Sequence, residues 1–132
     1  MSINWTLKKF DDLTPTELYA ALRLRSEVFV VEQNCVFLDL DNKDQYAYHL
    51  MGWEDQNLLA YTRLVPPGVA YKDVSIGRVV TSPAARGTGI GRSLMDESSR
   101  QAEGIFGKIP IRIGAQLYLE DFYASFGFLQ TS

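Results

Sequence analysis

Residues 86–93 read RGTGIGRS, and the glycines at positions 87, 89 and 91 constrain the fold of this chain more than any other feature. An apolar run, Val74–Thr81, precedes them, and the helix-like sequence LMDESSRQ follows. This strand, glycine loop and helix predict an α/β domain in which the backbone at a helix start approaches another group closely. A helix N-terminus carries unpaired N–H groups and about half a positive charge, which favour an anion such as a diphosphate.

The spacing of these glycines excludes two common phosphate-binding motifs. A Walker A loop ending at residues 91–93 requires glycine at position 86 and lysine at position 92, and both are arginines. A GxGxxG fingerprint that starts at Gly87 also requires glycine at position 92. What remains is Arg86-x-x-Gly89-x-Gly91. Two interpretations stay open for it, a diphosphate-binding loop and a turn that merely packs tightly.

The rest of the chain alternates between strand and helix patterns. Apolar runs predict five strands, at 3–10, 46–53, 58–65, 74–81 and 109–114. Three helices are predicted: one from a capping box at 14–17, one from the glycine loop to about Gly104, and one at 116–126 closed by Gly127. The first helix is expected to bury Leu18, Ala21, Leu22, Val28 and Val31. Residues 32–45 predict a loop, and 54–57 a hairpin connection. The order β-α-β-β-β-α-β-α predicts a mixed central sheet flanked by helices.

Composition limits the class of protein. The 132 residues suit one domain, and a net charge of −3 with scattered basic residues argues against nucleic-acid binding. The single cysteine, Cys35, excludes an internal disulfide, and the single histidine, His49, disfavours a zinc site, so no metal is expected. The sequence has neither a secretory signal pattern nor an apolar run of about 18 residues. These features predict a reduced, cytoplasmic setting without membrane contact.

Two motifs carry a family resemblance. The run IGRVVTSPAARGTGIGRSLM resembles the acetyl-CoA signature of the GCN5-related N-acetyltransferases (GNAT), and LEDFYASFGF resembles the late helix of that family. The early sequence LRSEVFVVEQNCVFLDLDNKD is similar to that of the ElaA-like subgroup. The resemblance covers essentially the whole chain. It implies the GNAT fold and the transfer of an acetyl group from acetyl-CoA to a primary amine of a small molecule or a protein.

The resemblance also implies roles for individual residues. The strand end at 79–81 would pair with the pantetheine arm, the backbone of 87–92 would hold the diphosphate, and Tyr123 would protonate the leaving thiolate. The residues implied in cofactor binding are Val79, Val80, Thr81, Arg86, Gly87, Thr88, Gly89, Ile90, Gly91, Arg92 and Gln116. A phenol with a pKa of about 10 suits protonation of a thiolate whose thiol has a pKa of about 8.5.

The sequence departs from the family pattern in two ways. Residues 111–113 carry no carboxylate to act as general base, so Glu32, His49, Asp73 or a water relay remain as candidates. Only four residues follow Phe128, where the family has two more strands. We therefore expect a single N-acetyltransferase domain, 1–132, whose final strands are missing by truncation or supplied by another chain, as in a homodimer.

Two functional interpretations remain beside the acyltransferase. One is a non-catalytic acyl-CoA-binding or interaction domain of the same fold. The other is an unrelated phosphate-binding enzyme such as a kinase, which the absence of a Walker lysine disfavours. Acidic residues of the early loop and hairpin further predict an acceptor site with a negative field that attracts cationic amines; they are Asp39, Asp41, Asp44, Glu54 and Asp55.

Overall fold

A computed structural model describes residues 2–34, 38–109 and 111–113. Their strands are β1 Asn4–Lys9, β2 Tyr48–Glu54, β3 Asn57–Val65, β4 Val74–Thr81 and β5 Ile111–Ile113. Their α-helices are α1 Pro15–Arg25 and α2 Ile90–Phe106. This order confirms the prediction from the first strand to the fifth. The helix expected at 116–126 lies outside the described residues.

The five strands form one sheet in the order β1-β2-β3-β4-β5. The first four are antiparallel to their neighbours, whereas β5 pairs parallel to β4 through Val74–Ile111, Ser75–Arg112 and Ile76–Ile113. A parallel pair requires a crossover, and α2 supplies it. The predicted mixed α/β architecture is confirmed.

The two helices cover opposite faces of the sheet. Met51 and Tyr61 pack with Ala21 and Leu24 of α1. Their strand neighbours Leu50 and Ala60 pack with Ile90 and Leu94 of α2. Successive residues of a strand point to opposite faces, so β2 and β3, which are buried along most of their length, contribute side chains to both cores. This arrangement places the start of α2 beside the end of β4.

The chain around α1 begins as predicted and ends differently. Thr14 accepts a hydrogen bond from the N–H of Glu17, whose carboxylate accepts one from the N–H of Thr14, so the capping box is present. After Arg25 the helix continues as a π-helical segment, Ser26–Glu32. Its i→i+5 hydrogen bonds change the angle between successive side chains. Val28 therefore stays buried, whereas Val31 is 73% exposed, and the prediction that Val31 belongs to the apolar face is wrong.

The hairpin between β2 and β3 is tighter than predicted. Glu54 pairs with Asn57, so that only Asp55 and Gln56 form the turn. A two-residue turn requires a positive φ, and Asp55 has φ +53°. Tyr46, predicted as a strand residue, lies in the short 3-10 turn Asp44–Tyr46. Within the described ranges, no helix has the length and apolar character needed to cross a membrane.

Candidate functional site

The glycine loop lies between β4 and α2, as the sequence predicts. Gly87 and Gly89 have φ values of +83° and +84°, which glycine adopts without steric cost. Gly89 is the N-cap residue of α2, and no side chain caps the helix there. The N–H groups of the first turn of α2 are therefore not satisfied by a capping side chain, and the helix dipole is directed at the loop.

Gly91 differs from the other two glycines. It lies in the first turn of α2, and its φ is not in the positive region. A Cβ atom built at Gly91 meets no atom within 4 Å, and the same is true at Gly87 and Gly89. Neither backbone conformation nor packing within the described residues therefore requires glycine at position 91. Among the described residues, nothing packs tightly enough against these three glycines to explain them.

Arg86, at the start of the loop, is paired with Glu32 at the end of the π-helical segment. Its Nη1 and Nη2 atoms donate to Glu32 Oε2 and Oε1 over 2.8 and 2.7 Å. Nη2 also lies 3.5 Å from the carbonyl oxygen of Thr81. The hydrogen bonds from Arg86 hold the pKa of Glu32 below its usual range. A carboxylate with a lowered pKa is a weaker base. Glu32 is therefore better suited to binding Arg86 of the loop than to abstracting a proton.

The side chains of the expected cofactor strand are used for packing. Val80 is buried with α1 residues, and Val79 packs against the core on the α2 side. Ile90 is buried too, so only its backbone is available to a ligand. Thr88 donates from Oγ1 to the carbonyl oxygen of Ala85 over 2.5 Å, which fixes the loop from within. Among the described residues the pairing of β4 with β5 ends at Ile76 and Ile113, upstream of Val79.

A β-bulge interrupts β4 at Arg78 and Val79, where the expected cofactor segment 79–81 begins. Tyr61 pairs with Val80 but Arg63 pairs with Gly77, so Arg78 and Val79 both face Thr62. Arg78 has φ +51°, a left-handed conformation that costs a residue with a side chain about 1–2 kcal/mol. Bulges of this kind often lie next to active sites, where they turn a strand. The sequence does not predict this bulge, because position 78 is an arginine and not the glycine that most readily adopts a positive φ.

Arg78 belongs to a cluster of six charges, the Asp–Arg cluster, formed by Arg25, Arg63, Arg78, Asp39, Asp41 and Asp44. Arg25 binds Asp39 and Asp44, each over 2.9 Å. Arg63 binds Asp41 over 2.8 Å and Asp44 over 2.9 Å. Burial opposes ionisation, but hydrogen bonds and charge from these arginines outweigh it and hold the pKa of Asp41 and Asp44 low. The three acids are balanced by three bases.

This balance corrects the prediction of an acidic acceptor field. Asp39 and Asp44 are only 6% and 7% exposed, and their charges are neutralised where they lie. The partnerships of the three arginines were not predicted from the sequence, although Arg63 and Arg78 stand in largely apolar strands, where a charge needs a partner. Arg25 falls one helical turn after the buried Ala21. An arginine on the buried side of a helix indicates that an acidic partner lies nearby, and this was the signal in the sequence.

His49 lies in the core, and Asp73 lies just before β4, at the opposite end of that strand from the glycine loop. His49 is 1% exposed, with Nδ1 2.6 Å from the hydroxyl of Tyr61 and Nε2 2.9 Å from the carbonyl oxygen of Asp44. Burial lowers its pKa. Both ring nitrogens of His49 are therefore engaged within the core, and its role as a base stays a prediction from the sequence. Asp73 precedes the eight-residue strand β4, which at about 3.3 Å per residue puts it roughly 25–30 Å from the loop that follows.

A cleft of about 730 Å³ lies beside the loop and was not predicted from the sequence. It is bounded by α1, by the β2–β3 hairpin and by the start of the β4–α2 connection, and Arg23, Glu27 and Glu54 contribute its charges. Glu54 therefore lines a cleft, as expected of an acceptor-side residue, but Arg23 offsets part of the acidic field. Tyr123 and Gln116, the predicted acid and the predicted cofactor amide, lie outside the described residues.

Comparison with known proteins identifies this architecture. The family described as "Acetyltransferase (GNAT) domain" matches residues 21–132. The chain therefore belongs to the GNAT acetyltransferase family, and within it to the ElaA-like subgroup. Protein ElaA of Escherichia coli is 39% identical over 96% of this chain and 84% of its own length. The crystal structure of E. coli ElaA superposes with a TM-score of 0.89 at 38% identity, covering 95% of this chain and 86% of that chain.

A second solved structure is similar over a larger share of the chain. The crystal structure of an acyl-CoA N-acyltransferase from Pseudomonas aeruginosa has a TM-score of 0.93 and 45% identity. The match covers 99% of this chain and 91% of that one. A UPF0039 protein of Synechocystis sp. is 43% identical over 97% of this chain and 84% of its own length. The family and these structures support acyl transfer as the general chemistry of the fold.

Proposed function

We propose that this protein transfers an acetyl group from acetyl-CoA to a primary amine of a small molecule or a protein. The observation that carries the proposal is Gly91, a glycine in the first turn of α2. A Cβ built there meets no atom of the described residues within 4 Å, and its φ does not require glycine. A ligand that approaches the helix N-terminus closely explains it. The diphosphate of a CoA thioester has the charge that such a helix end favours.

In this proposal the loop binds the diphosphate and β4 binds the arm. Backbone N–H groups of residues 87–92 would donate to the diphosphate, with Arg86 and Arg92 adding positive charge. The segment 79–81 would pair its backbone with the pantetheine amides, since the side chains of Val79 and Val80 already pack in the cores. Gln116 would contribute a further hydrogen bond. The name of the Pseudomonas relative, an acyl-CoA N-acyltransferase, supports a CoA thioester as donor.

The proposed reaction is direct acyl transfer. The neutral amine nitrogen forms a bond to the thioester carbonyl carbon, and the carbon–sulfur bond then breaks. Tyr123 would give its proton to the departing thiolate. The proton lost by the amine passes to a base, and a water relay fits this step best because His49 is enclosed and Glu32 is bound to Arg86. Backbone donors near the bulge would stabilise the oxyanion.

The decisive experiment measures CoA release. The protein is incubated with acetyl-CoA and a panel of primary amines, free thiol is followed over time, and the amines are weighed by mass spectrometry. We expect stoichiometric thiol and acetylated amine. Binding of acetyl-CoA without release under any amine would favour the alternative, a non-catalytic acyl-CoA-binding domain. Cytoplasmic location and the involvement of a second chain stay predictions from the sequence.

A further inference from the structure

We propose that Arg78 is a positioning residue: tied to Asp39 and Asp41, it holds the β4 bulge that determines which backbone groups of β4 meet the pantetheine arm. The inference rests on the proposed function, because it concerns the same ligand. It starts from a strained arginine that neither the family comparison nor the glycine loop explains. Arg78 is a quarter exposed and lies in the strand itself.

The bulge changes the phase of the strand. Ile76 packs with Ala102 of α2, whereas Val80 packs with Ala21 of α1, on the opposite face of the sheet. Residues four apart in a regular strand share one face. The extra residue at Arg78 and Val79 therefore inverts every position after it. The direction in which each residue's backbone N–H and C=O groups point is also inverted after the bulge. The residues that present these groups toward the β5 side are therefore different from those that would do so in a strand without a bulge.

Ion pairs hold the arginine in its left-handed conformation. Nε of Arg78 lies 2.8 Å from Asp39 Oδ1, an ion pair without the angle of a hydrogen bond. Nη2 donates to the carbonyl oxygen of Asp39 over 3.0 Å and lies 3.4 Å from Asp41 Oδ2. Asp39 is itself fixed by Arg25 over 2.9 Å. The guanidinium fork thus connects the bulge to a loop 37 and 39 residues earlier in the chain.

The ion pairs of Arg78 are expected to affect the pantetheine arm of the ligand and not its diphosphate. The bulge, at Arg78 and Val79, lies where the segment 79–81 begins. The arm would pair along that segment, and the diphosphate would lie beyond it at the loop. Loss of the ion pairs should therefore weaken contacts with the arm and leave contacts with the diphosphate in place. A merely structural residue would weaken both or neither.

The experiment compares two ligands by calorimetry, acetyl-CoA and adenosine 3′-phosphate 5′-diphosphate, which lacks the arm. In Arg78→Gln we expect the affinity for acetyl-CoA to fall at least tenfold and the affinity for the nucleotide to stay within twofold. Arg78→Lys keeps one charge near Asp39 and should recover part of the loss. The control Lys8→Gln removes a partly exposed ion pair with Glu17 elsewhere in the fold and should change neither affinity.

Each outcome decides the matter. Selective loss of acetyl-CoA affinity with partial recovery in the lysine variant supports the inference, and retained nucleotide binding shows that the loop and α2 are folded. Equal losses for both ligands, no loss for either, or unfolding of both variants would overturn it. A parent protein that binds neither ligand would instead overturn the proposed function. Under turnover, the same variants should raise the KM for acetyl-CoA more than they lower kcat.

Discussion

The carboxylate of Glu32 faces the guanidinium of Arg86 in a two-bonded pair, with oxygen–nitrogen distances of 2.8 and 2.7 Å. The two side chains are 39% and 44% exposed, so water and salt screen the pair. The pair matters because of the two residues that it joins. A residue considered as a base is bound to the residue expected to attract the diphosphate, and 54 positions separate the two in sequence.

Neutralising Glu32 should therefore change binding more than chemistry. In Glu32→Gln we expect acetyl-CoA to bind a few-fold more tightly at low salt, because a negative charge is removed beside the anion, and kcat to stay within about twofold. The gain should shrink as salt rises, since exposed charges are screened over about 8 Å at physiological ionic strength. Glu103→Gln, at an exposed pair with Lys108, is the matched control. A hundredfold fall in kcat with unchanged affinity would make Glu32 the base instead.

Gly91 offers a test of the loop with little cost to the fold. Gly91→Ala places a methyl group where the diphosphate is expected, and affinity for acetyl-CoA should fall at least tenfold. Stability should hold or rise, because alanine favours a helix by about 1 kcal/mol over glycine. Gly104→Ala is the control, since Gly104 lies in the same helix and a Cβ built there also meets no described atom within 4 Å. Gly89 is unsuitable because its φ of +84° strains any replacement. Unchanged affinity in Gly91→Ala would remove the diphosphate from this loop.

Tyr123 should contribute to turnover and not to binding. A general acid acts when sulfur gains negative charge, so its loss should appear in kcat, by at least tenfold for Tyr123→Phe near neutral pH. Affinity for acetyl-CoA should stay within a few-fold because the ring is kept. The measurement is steady-state turnover beside calorimetry. Normal turnover in the variant would assign Tyr123 to packing.

His49 should make the protein less stable at mildly acidic pH. Burial lowers the pKa of His49 below its ordinary value of 6.5, so below that pH the unfolded chain binds a proton that the folded protein excludes. The free energy of unfolding should therefore decrease as pH falls from 7 to 5.5. In His49→Gln it should be lower at pH 7, by about 1 kcal/mol for the lost bond to Tyr61, but flatter with pH. Urea titrations at the two pH values measure this, and a variant as pH-dependent as the parent would contradict it.

Asp44 should be the costly position of the Asp–Arg cluster. Its Oδ1 accepts from both Arg25 and Arg63 over 2.9 Å. Asp44→Asn leaves two buried cations undercompensated, and removing one partner of a buried pair typically costs about 3–5 kcal/mol. Asp96→Asn, exposed on α2, should change the unfolding free energy by no more than about 0.5 kcal/mol. Similar small effects for both variants would show that the cluster is dispensable to the fold.

Local signals in the sequence were enough to find the five described strands, the starts of the two described α-helices and the glycine loop. The capping box at Thr14 and Glu17, the apolar runs and the glycines each act over a few residues, and all appear in the fold. Glycine at 87 and 89 follows from a positive φ, which is also a local demand. The strand, loop and helix could therefore be located within a few residues.

The contacts that define the site could not be found in this way. Arg25 and Asp39 are 14 positions apart, and Arg63 and Asp41 are 22 apart, so only the folded sheet brings them together. The acids alone suggested a negative field, because charge counted along the chain does not show which arginine lies beside which aspartate. The π-helical segment that exposes Val31 and the bulge at Arg78 likewise result from tertiary packing overriding local preference.

The strand order in the sheet follows the order along the chain, and this bears on the sequence in which the strands assemble during folding. β2 and β3 close through a two-residue turn and β4 joins β3 after eight residues, 66–73, whereas β5 reaches β4 only after the whole of α2. Long loops close more slowly than short ones. We expect the antiparallel strands to assemble before the parallel edge, so that a newly made chain carries β4 with one side unpaired until α2 has docked. That transient edge is a place for self-association during synthesis.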